Sequence, residues 1–452
     1  MSTGLVSYQP EAVARRVIIA GFIGFAVDFF DIYLPAMVLT PVITLFEPKG
    51  LSSAATTTIY YFTIATTLLG RPCGAVIFGH WADKLGRRRV TMISIAGFGI
   101  LTLLVAFLPG YATIGIWSLV LLLTLRFVGG VFMGGEYTSN NTLALEMAPK
   151  HRRGFVGGLL QAAFPIGFGA VSLAASIMLA LTTHEQYAAW GWRIPFLFGA
   201  GLAFVFLIYY RTVPESPLWQ ESEKSAAPLK EVLSGSHLRN LGQVFLMMTG
   251  FWLVGQAGSV LPSIMIQHLH ISGERTSNTF LFASIVLFFG FLFYGLLGQA
   301  IGRRVAIVIG AVVVLASVPV LYYVLIARAL AGGSVLGTTL LAGAVQVLSI
   351  APWGIVTCYI CERFPTHVRA SGYGIGYSLA IIIPSFSGIY LLWLAHLMPY
   401  LYTPIVLVIV APLLMIVGAL LGPETRDVEL HLPDLGVAPA PRVVPVAAAP
   451  SV

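Results

Sequence analysis

Long apolar runs separated by short polar segments set the pattern of this chain. A membrane-spanning helix needs about 20 apolar residues. Runs of that length fall at 17–39, 57–78, 90–109, 113–146, 153–181 and 194–212. After a polar stretch at 213–239 they continue at 240–267, 277–299, 304–327, 335–363, 368–396 and 400–421. None shows the alternation of barrel strands, so the pattern predicts helices. The fourth and tenth runs look unusually long.

The two groups of six are copies. Gly79, Gly86, Arg87 and Arg88 recur 216 positions later as Gly295, Gly302, Arg303 and Arg304. The same shift carries Glu146, Pro149 and Arg153 onto Glu362, Pro365 and Arg369. One offset shared by two separate loops marks an internal duplication of a multi-helix unit, the architecture of transporters. The expected fold is an all-α membrane protein, twelve transmembrane helices in two pseudo-symmetric six-helix bundles. The expected divisions are an N-terminal segment 1–16, a bundle 17–212, a linker 213–239, a second bundle 240–421, and a tail 422–452 rich in Pro, Ala and Val that reads as disordered.

Composition agrees. The chain has 452 residues, 58% hydrophobic and 10% charged, against about 25% charged for a soluble domain. The net charge of +7 does not imply a nucleic-acid partner, because of where the charges fall. Most Lys and Arg lie in the N-terminus, every second loop and the tail; Lys49, Arg193, Arg275 and Arg328 lie on the opposite side. This positive-inside bias predicts that both termini are cytoplasmic. Cys73, Cys358 and Cys361 sit in apolar runs and read as buried small hydrophobes. No cleavable signal peptide is expected.

Charge at mid-span depth is confined to the first half: Asp28, Asp31, Arg71, Arg126 and Glu136, and the second-half spans carry none at comparable depth. Each costs about 2.5–3.5 kcal/mol at mid-bilayer on insertion scales, so a functional reason is expected. Asp28 and Asp31 are three apart and share a helical face. Arg126 is their expected partner, and a carboxylate that pairs when ionised and releases when protonated makes a proton-coupling switch. A static ion pair is the structural alternative. The guanidinium of Arg126 or Arg71 is also a bidentate clamp for a substrate carboxylate. Glu136 lies about 15 Å along the helix from Arg126 and follows Gly134-Gly135; a structural bond competes with a transport role. Tyr60, Gln161, Trp252, Gln256, Gln346, Trp353, Tyr373 and Tyr377 are polar or aromatic residues suited to a central cavity, Gln256 and Tyr377 foremost. At the loops, Asp83 is placed to cap a helix end across the bundle interface, with Arg87–Arg89 facing the cytoplasm. Gly79, Asp83, Gly86, Arg87, Arg88, Glu146, Arg153, Glu362 and Arg369 form the expected cytoplasmic gate.

The Gly79–Arg89 loop resembles the signature loop of the major facilitator superfamily, and the resemblance covers about residues 17–425. Arg71-Pro72-Cys73-Gly74 with Phe78-Gly79, Leu108-Pro109-Gly110-Tyr111, Gly134-Gly135-Glu136-Tyr137 and Ala189-Trp190-Gly191-Trp192-Arg193-Ile194-Pro195-Phe196 are similar to the metabolite:proton symporters. That resemblance implies carriage of di- and tricarboxylates, oxo-acids, shikimate or zwitterionic osmolytes such as proline and betaine. The family's span-1 pattern of Glu, two aromatics, Asp and Phe is altered here to Asp28-Phe29-Phe30-Asp31-Ile32, and its usual Gln after the span-4 Arg is Gly129. Pro214-Glu215-Ser216-Pro217 and Pro423-Glu424-Thr425 also resemble loop motifs of the sugar porters.

The expected function is proton-coupled symport of a small organic acid by alternating access, in a bacterial inner membrane. The alternatives are carriage of a sugar, proline or betaine, and a non-transporting solute sensor. No enzyme is expected, since no nucleophile–base set or metal cluster is evident. No cofactor is expected beyond the proton as coupling ion, and no P-loop is present. The expected partners are a small-molecule substrate and the lipid bilayer, with the chain a monomer.

Overall fold

The computed structural model describes residues 11–48 and 53–430; the side chains of residues 36, 40, 53–62, 64 and 274 lie outside that description, Tyr60 among them. So do residues 1–10 and 431–452, the outer parts of the two expected termini. Among the described residues all regular structure is helical. The first six long helices are α1 Glu11–Leu39, α2 Ser53–Leu85, α3 Arg87–Ala106, α4 Trp117–Glu146, α5 Lys150–Leu181 and α6 His184–Tyr210. The second six are α7 Gly235–Gln267, α8 Arg275–Ile301, α9 Arg303–Leu330, α10 Val335–Glu362, α11 Thr366–Leu394 and α12 Tyr400–Leu421. Eleven are long and apolar enough to cross a membrane. The other, α2, has 33 residues, about 50 Å of helix, and packs along α4.

The helices overrun the apolar runs that predict them. α1 begins at Glu11, α2 continues to Leu85, and α6 begins at His184, ten residues ahead of its apolar run. Hydropathy reports only the part of a helix in hydrocarbon, while backbone hydrogen bonding continues into the polar ends. For the same reason α4 and α10, at 30 and 28 residues, are not the longest; α2 and α7 have 33 and α5 has 32. Large side chains such as Leu181, Phe282, Phe289, Leu340 and Trp393 are well exposed around the bundles. On a water-soluble protein such a surface would be an aggregation hazard, whereas lipid solvates it.

The two halves meet most closely at the end that carries the arginine-rich loops, here called the basic end. At that end α2 turns into α3 through Gly86, and α8 into α9 through Gly302. Their conformations are nearly identical, φ 103°, ψ 150° and φ 105°, ψ 150°, a region essentially closed to other residues. Each turn exposes the unpaired N–H groups of a new helix. Glu215 accepts from Arg87 N at 3.1 Å and Arg88 N at 3.1 Å; Glu424 accepts from Arg303 N at 2.7 Å and Arg304 N at 3.1 Å. Arg87 then reaches Glu146 at 3.2 Å, and Arg303 reaches Glu362 at 3.2 Å. The duplication legible at seven positions is thus a repeated turn, cap and ion pair.

The connecting segments pack at the basic end, which changes the reading of the tail. The linker is pinned to the protein: helices Pro217–Glu221 and Pro228–Val232 interrupt it, and Trp219 Nε1 donates to Asp83 O at 2.7 Å. The first part of the expected disordered tail, residues 422–430, is packed at the basic end. Besides the Glu424 cap, Thr425 Oγ1 donates to Glu362 at 2.7 Å, and Val428 O accepts from Arg153 at 2.8 Å.

A Cβ at either turn glycine would collide with its capping carboxylate as well as strain the backbone. Gly86→Ala and Gly302→Ala are each expected to destabilise by about 1–3 kcal/mol. Gly242→Ala, inside α7 with open space around it, should hold or slightly raise stability. Thermal unfolding of the purified variants in detergent checks this, and an unchanged midpoint for Gly86→Ala would contradict the capped-turn assignment.

Candidate functional site: a central charge pair layer and a closed gate

The charged layer rests on a close crossing of α2 and α4. Gly70 and Gly74 lie against the backbone of Phe127 and Val131, and Gly130 and Gly134 against that of Thr67 and Arg71. Small residues at four-residue spacing let two helix backbones touch. That contact sets Thr67 and Arg71 beside Arg126, facing α1.

Arg126 donates to Asp31 Oδ2 at 3.1 Å and to the Asp31 carbonyl at 2.9 Å, and its Nε reaches Thr67 Oγ1 at 3.2 Å. Thr102 of α3 donates to the other Asp31 oxygen. Asp28 pairs elsewhere. Its partner is Arg71, through one contact of 3.4 Å, long for a charge-assisted bond. The second Asp28 oxygen has no hydrogen-bond partner among the described residues. All four charged groups are buried. Glu136 is buried too, but in a separate network: Asn140 donates to it at 2.7 Å and to Gly21 O at 3.1 Å, and accepts from Tyr210 at 3.1 Å.

Arg71 also lies 4.5 Å over the ring of Tyr137, which opens onto the second half. Tyr137 meets Tyr377 at 5.2 Å, Tyr377 stacks on Tyr373 at 5.7 Å, and Trp252 and Trp353 complete the cluster at 4.8 Å from each other. Two helices of the second half lose their α-helical pattern beside these rings, at Ala351–Ile355 and Leu379–Ile381. Short 3₁₀ stretches inside long helices often mark functional hinges. The Trp353 indole N–H and the Tyr137 hydroxyl are buried without partners among the described residues. Gln256 is half-buried one turn along α7 from Trp252. Gln161 donates to Thr357 at 2.9 Å, joining α5 to α10 instead of lining an open space.

At the basic end the halves are latched. Asp83 accepts from Ala370 N at 3.1 Å and Ser371 N at 2.9 Å, capping α11 across the interface. The symmetry mate is Gln299, which accepts from Gly154 N at 2.9 Å at the start of α5. Arg369 reaches Glu146 at 2.8 Å, and Arg87 donates to Thr366 O at 2.6 Å. Arg87 is fully buried and so does not face the cytoplasm, as the sequence suggested; Arg88 bonds Arg211 O at 2.7 Å. Gly79 permits the close approach of Ser371. Further bonds join the bundles: Lys150 to Glu429 at 2.6 Å, Arg153 to Val428 O at 2.8 Å and Asn141 to Tyr373 at 3.1 Å.

Sequence reasoning allowed Arg71 an acid partner without naming Asp28, and missed the hydroxyls of Thr67 and Thr102 and the caps Glu215 and Glu424. Threonines are common in spans, so nothing singled these two out. The caps do carry a signal, since both follow a Pro, but they lie 209 positions apart, outside the 216 register. Cys73 is exposed on the outer face of α2, against expectation, whereas Cys358 and Cys361 are buried.

Two pseudo-symmetric helical bundles around a buried charged centre, joined at one end, are the architecture of a membrane transporter. The profile described as sugar (and other) transporter matches residues 17–247. The inner membrane metabolite transport protein YhjE of Escherichia coli K12 is 31% identical over 389 residues, covering 83% of this chain and 86% of that protein. The proline/betaine transporter of Salmonella typhimurium LT2 is 27% identical over 436 residues, 90% of this chain and 84% of that one. Among solved structures, the proton:xylose symporter XylE bound to 6-bromo-6-deoxy-D-glucose superposes with a TM-score of 0.73 at 20% identity, covering 92% of this chain and 97% of that one. The chain belongs to the sugar (and other) transporter family of the major facilitator superfamily. It is a multi-pass membrane transporter and not an enzyme.

Removing one partner of a buried ion pair strands the other charge, at a cost of about 3–5 kcal/mol. Asp31→Asn and Arg126→Gln should each lower thermal stability in detergent, and the double variant by clearly less than the sum. Additive losses would show that the two groups do not act as a pair.

Proposed function

We propose that this protein is a proton-coupled symporter of a small carboxylate-bearing metabolite. The observation that carries the reading is the Arg71 environment. A guanidinium with five donors uses one of them, at 3.4 Å, on Asp28, and it faces an aromatic cluster whose polar atoms include unpartnered ones. Such a group can release Asp28 and take a substrate carboxylate in bidentate fashion. Asp28 would then sit buried without its counter-charge, and protonation relieves that cost. Substrate and proton thereby enter together.

Asp31 and Arg126 form the second coupling element. Their pair is braced by Thr67 and Thr102, so protonation of Asp31 would free Arg126 and loosen α1 from α4. Gln256, Tyr377 and Trp353 line the substrate side in this reading, and Gln161 acts at the closure between bundles. The positive-inside bias sets the basic end in the cytoplasm of a bacterial inner membrane. The described conformation is then closed to the cytoplasm, with Asp83, Glu146, Arg369 and Gln299 as the contacts that break when the bundles rock.

The aromatic cluster favours a second reading within the same site. Rings of Tyr137, Tyr377, Trp252 and Trp353 beside an arginine suit a zwitterion, its cationic end over the rings and its carboxylate on Arg71.

Uptake into proteoliposomes from labelled carboxylates, betaines and sugars, with and without an inward proton gradient, separates these readings. A carboxylate or betaine is expected to accumulate only with the gradient. Asp31→Asn should abolish that dependence, and Arg71→Gln should raise KM at least tenfold. Gradient-independent uptake would make both pairs structural. Sugar uptake indifferent to Arg71→Gln would overturn the carboxylate assignment.

A further inference from the structure

Glu231, His237 and His367 come from three separate elements and converge at the basic end. Glu231 sits on the linker helix Pro228–Val232, His237 in the first turn of α7, and His367 in the 3₁₀ turn that opens α11. One donor atom from each lies within 4.8 Å of the other two. His367 Nε2 is 2.6 Å from Glu231 Oε1, and His237 Nε2 is 3.9 Å from the same oxygen. The latter is too long for a hydrogen bond, and His237 Nδ1 is buried without a partner among the described residues. An imidazole aimed at a carboxylate it does not bond, with a second imidazole alongside, is a ligand arrangement more than a packing one. We infer that Glu231, His237 and His367 form a binding site for a divalent transition metal, zinc foremost, which when occupied straps the linker across the closed gate.

The donor set fits. Two imidazoles and a carboxylate suit zinc, cobalt or nickel and not magnesium or calcium. Donors about 2.0–2.1 Å from a tetrahedral ion stand about 3.3 Å apart, which small side-chain rotations provide from the present spacing. A cavity of about 440 Å³ borders Glu231 and His367 and has room for a water as fourth ligand. Glu221 and Glu223 add negative charge to its wall, against Lys224 and Arg369.

Position gives the site its consequence. The front of the linker is fixed to the first bundle by Glu215 and Trp219, and Thr366, next to His367, accepts the Arg87 hydrogen bond of the gate. A metal joining Glu231 to His367 and His237 fixes the rear of the linker to the second bundle. The linker then spans the closed gate, and opening the basic end requires the metal to leave.

The test uses the full chain, free of any histidine tag, in nanodiscs and stripped with chelator. Titration with zinc against a chromophoric competitor should show one tight site per chain, weakened at least tenfold in His237→Ala and His367→Ala. His151→Ala, an exposed histidine elsewhere, should leave it intact. Cobalt should give the intense visible bands of four-coordination. With spin labels at Arg89 and Val305, zinc should narrow the distance between bundles to a single short population in the wild type, but not in the double histidine variant. Equal affinity in the double variant, or only weak six-coordinate cobalt bands, would overturn the site. Bound zinc that leaves the distances unchanged would overturn the strap.

Discussion

A helix that starts inside a membrane protein exposes N–H groups that neither lipid nor a neighbouring strand can satisfy, and at the basic end four helix starts, those of α3, α5, α9 and α11, are met from outside their own helices. Each is met by a side-chain oxygen. Glu215 caps α3 and Glu424 caps α9, within reach of their own turns. Asp83 caps α11 and Gln299 caps α5, each from the opposite bundle. The first two caps make the turns; the second two make the gate. Because the second pair crosses the interface, closing this end completes hydrogen bonding that opening it must replace with water. The gate is unequal: a carboxylate bonds two N–H groups on one side, an amide one on the other, so duplication has been kept in geometry and broken in charge.

A larger asymmetry lies at the centre. The first bundle holds two buried aspartates and two buried arginines, while the second presents rings and broken helices. A charge pair in hydrocarbon needs near-complete hydrogen bonding to be tolerated. Asp31 and Arg126 have it, through the carbonyl of Asp31 and two threonines. Asp28 and Arg71 do not, and the weaker pair is the one that faces the rings of the other bundle. The glycine crossing of α2 and α4 links the two levels, since the same helix carries Arg71 at its middle and Asp83 at its end.

Much of this was legible along the chain. Span number, the two-fold repeat and the intramembrane charges follow from hydropathy and from one offset, because each is a property of residue type and spacing. The pairing of Asp28 was not. Asp28 and Asp31 share a helical face, which suggested one arginine for both, yet the angle at which α2 crosses α4 brings Arg71 to Asp28. Arg87 shows the same limit: an arginine in a loop reads as solvent-facing, but Glu146 and Thr366, 59 and 279 positions away, enclose it. Glu424 was read as part of a disordered tail because the segment after Gly422 is rich in Pro, Ala and Val, yet its hydrogen bonds to α9 hold it in place.

By itself the sequence determined a membrane protein of two six-helix copies with mid-span charge confined to one of them, because lipid solvation imposes length and polarity on every span separately. Tertiary structure alone decided which arginine meets which aspartate, which loop residues become caps, and that the basic end is the closed one. Those depend on helix crossings and on contacts between halves over 200 residues apart, where a shift of one helical turn changes the partner without changing any local pattern.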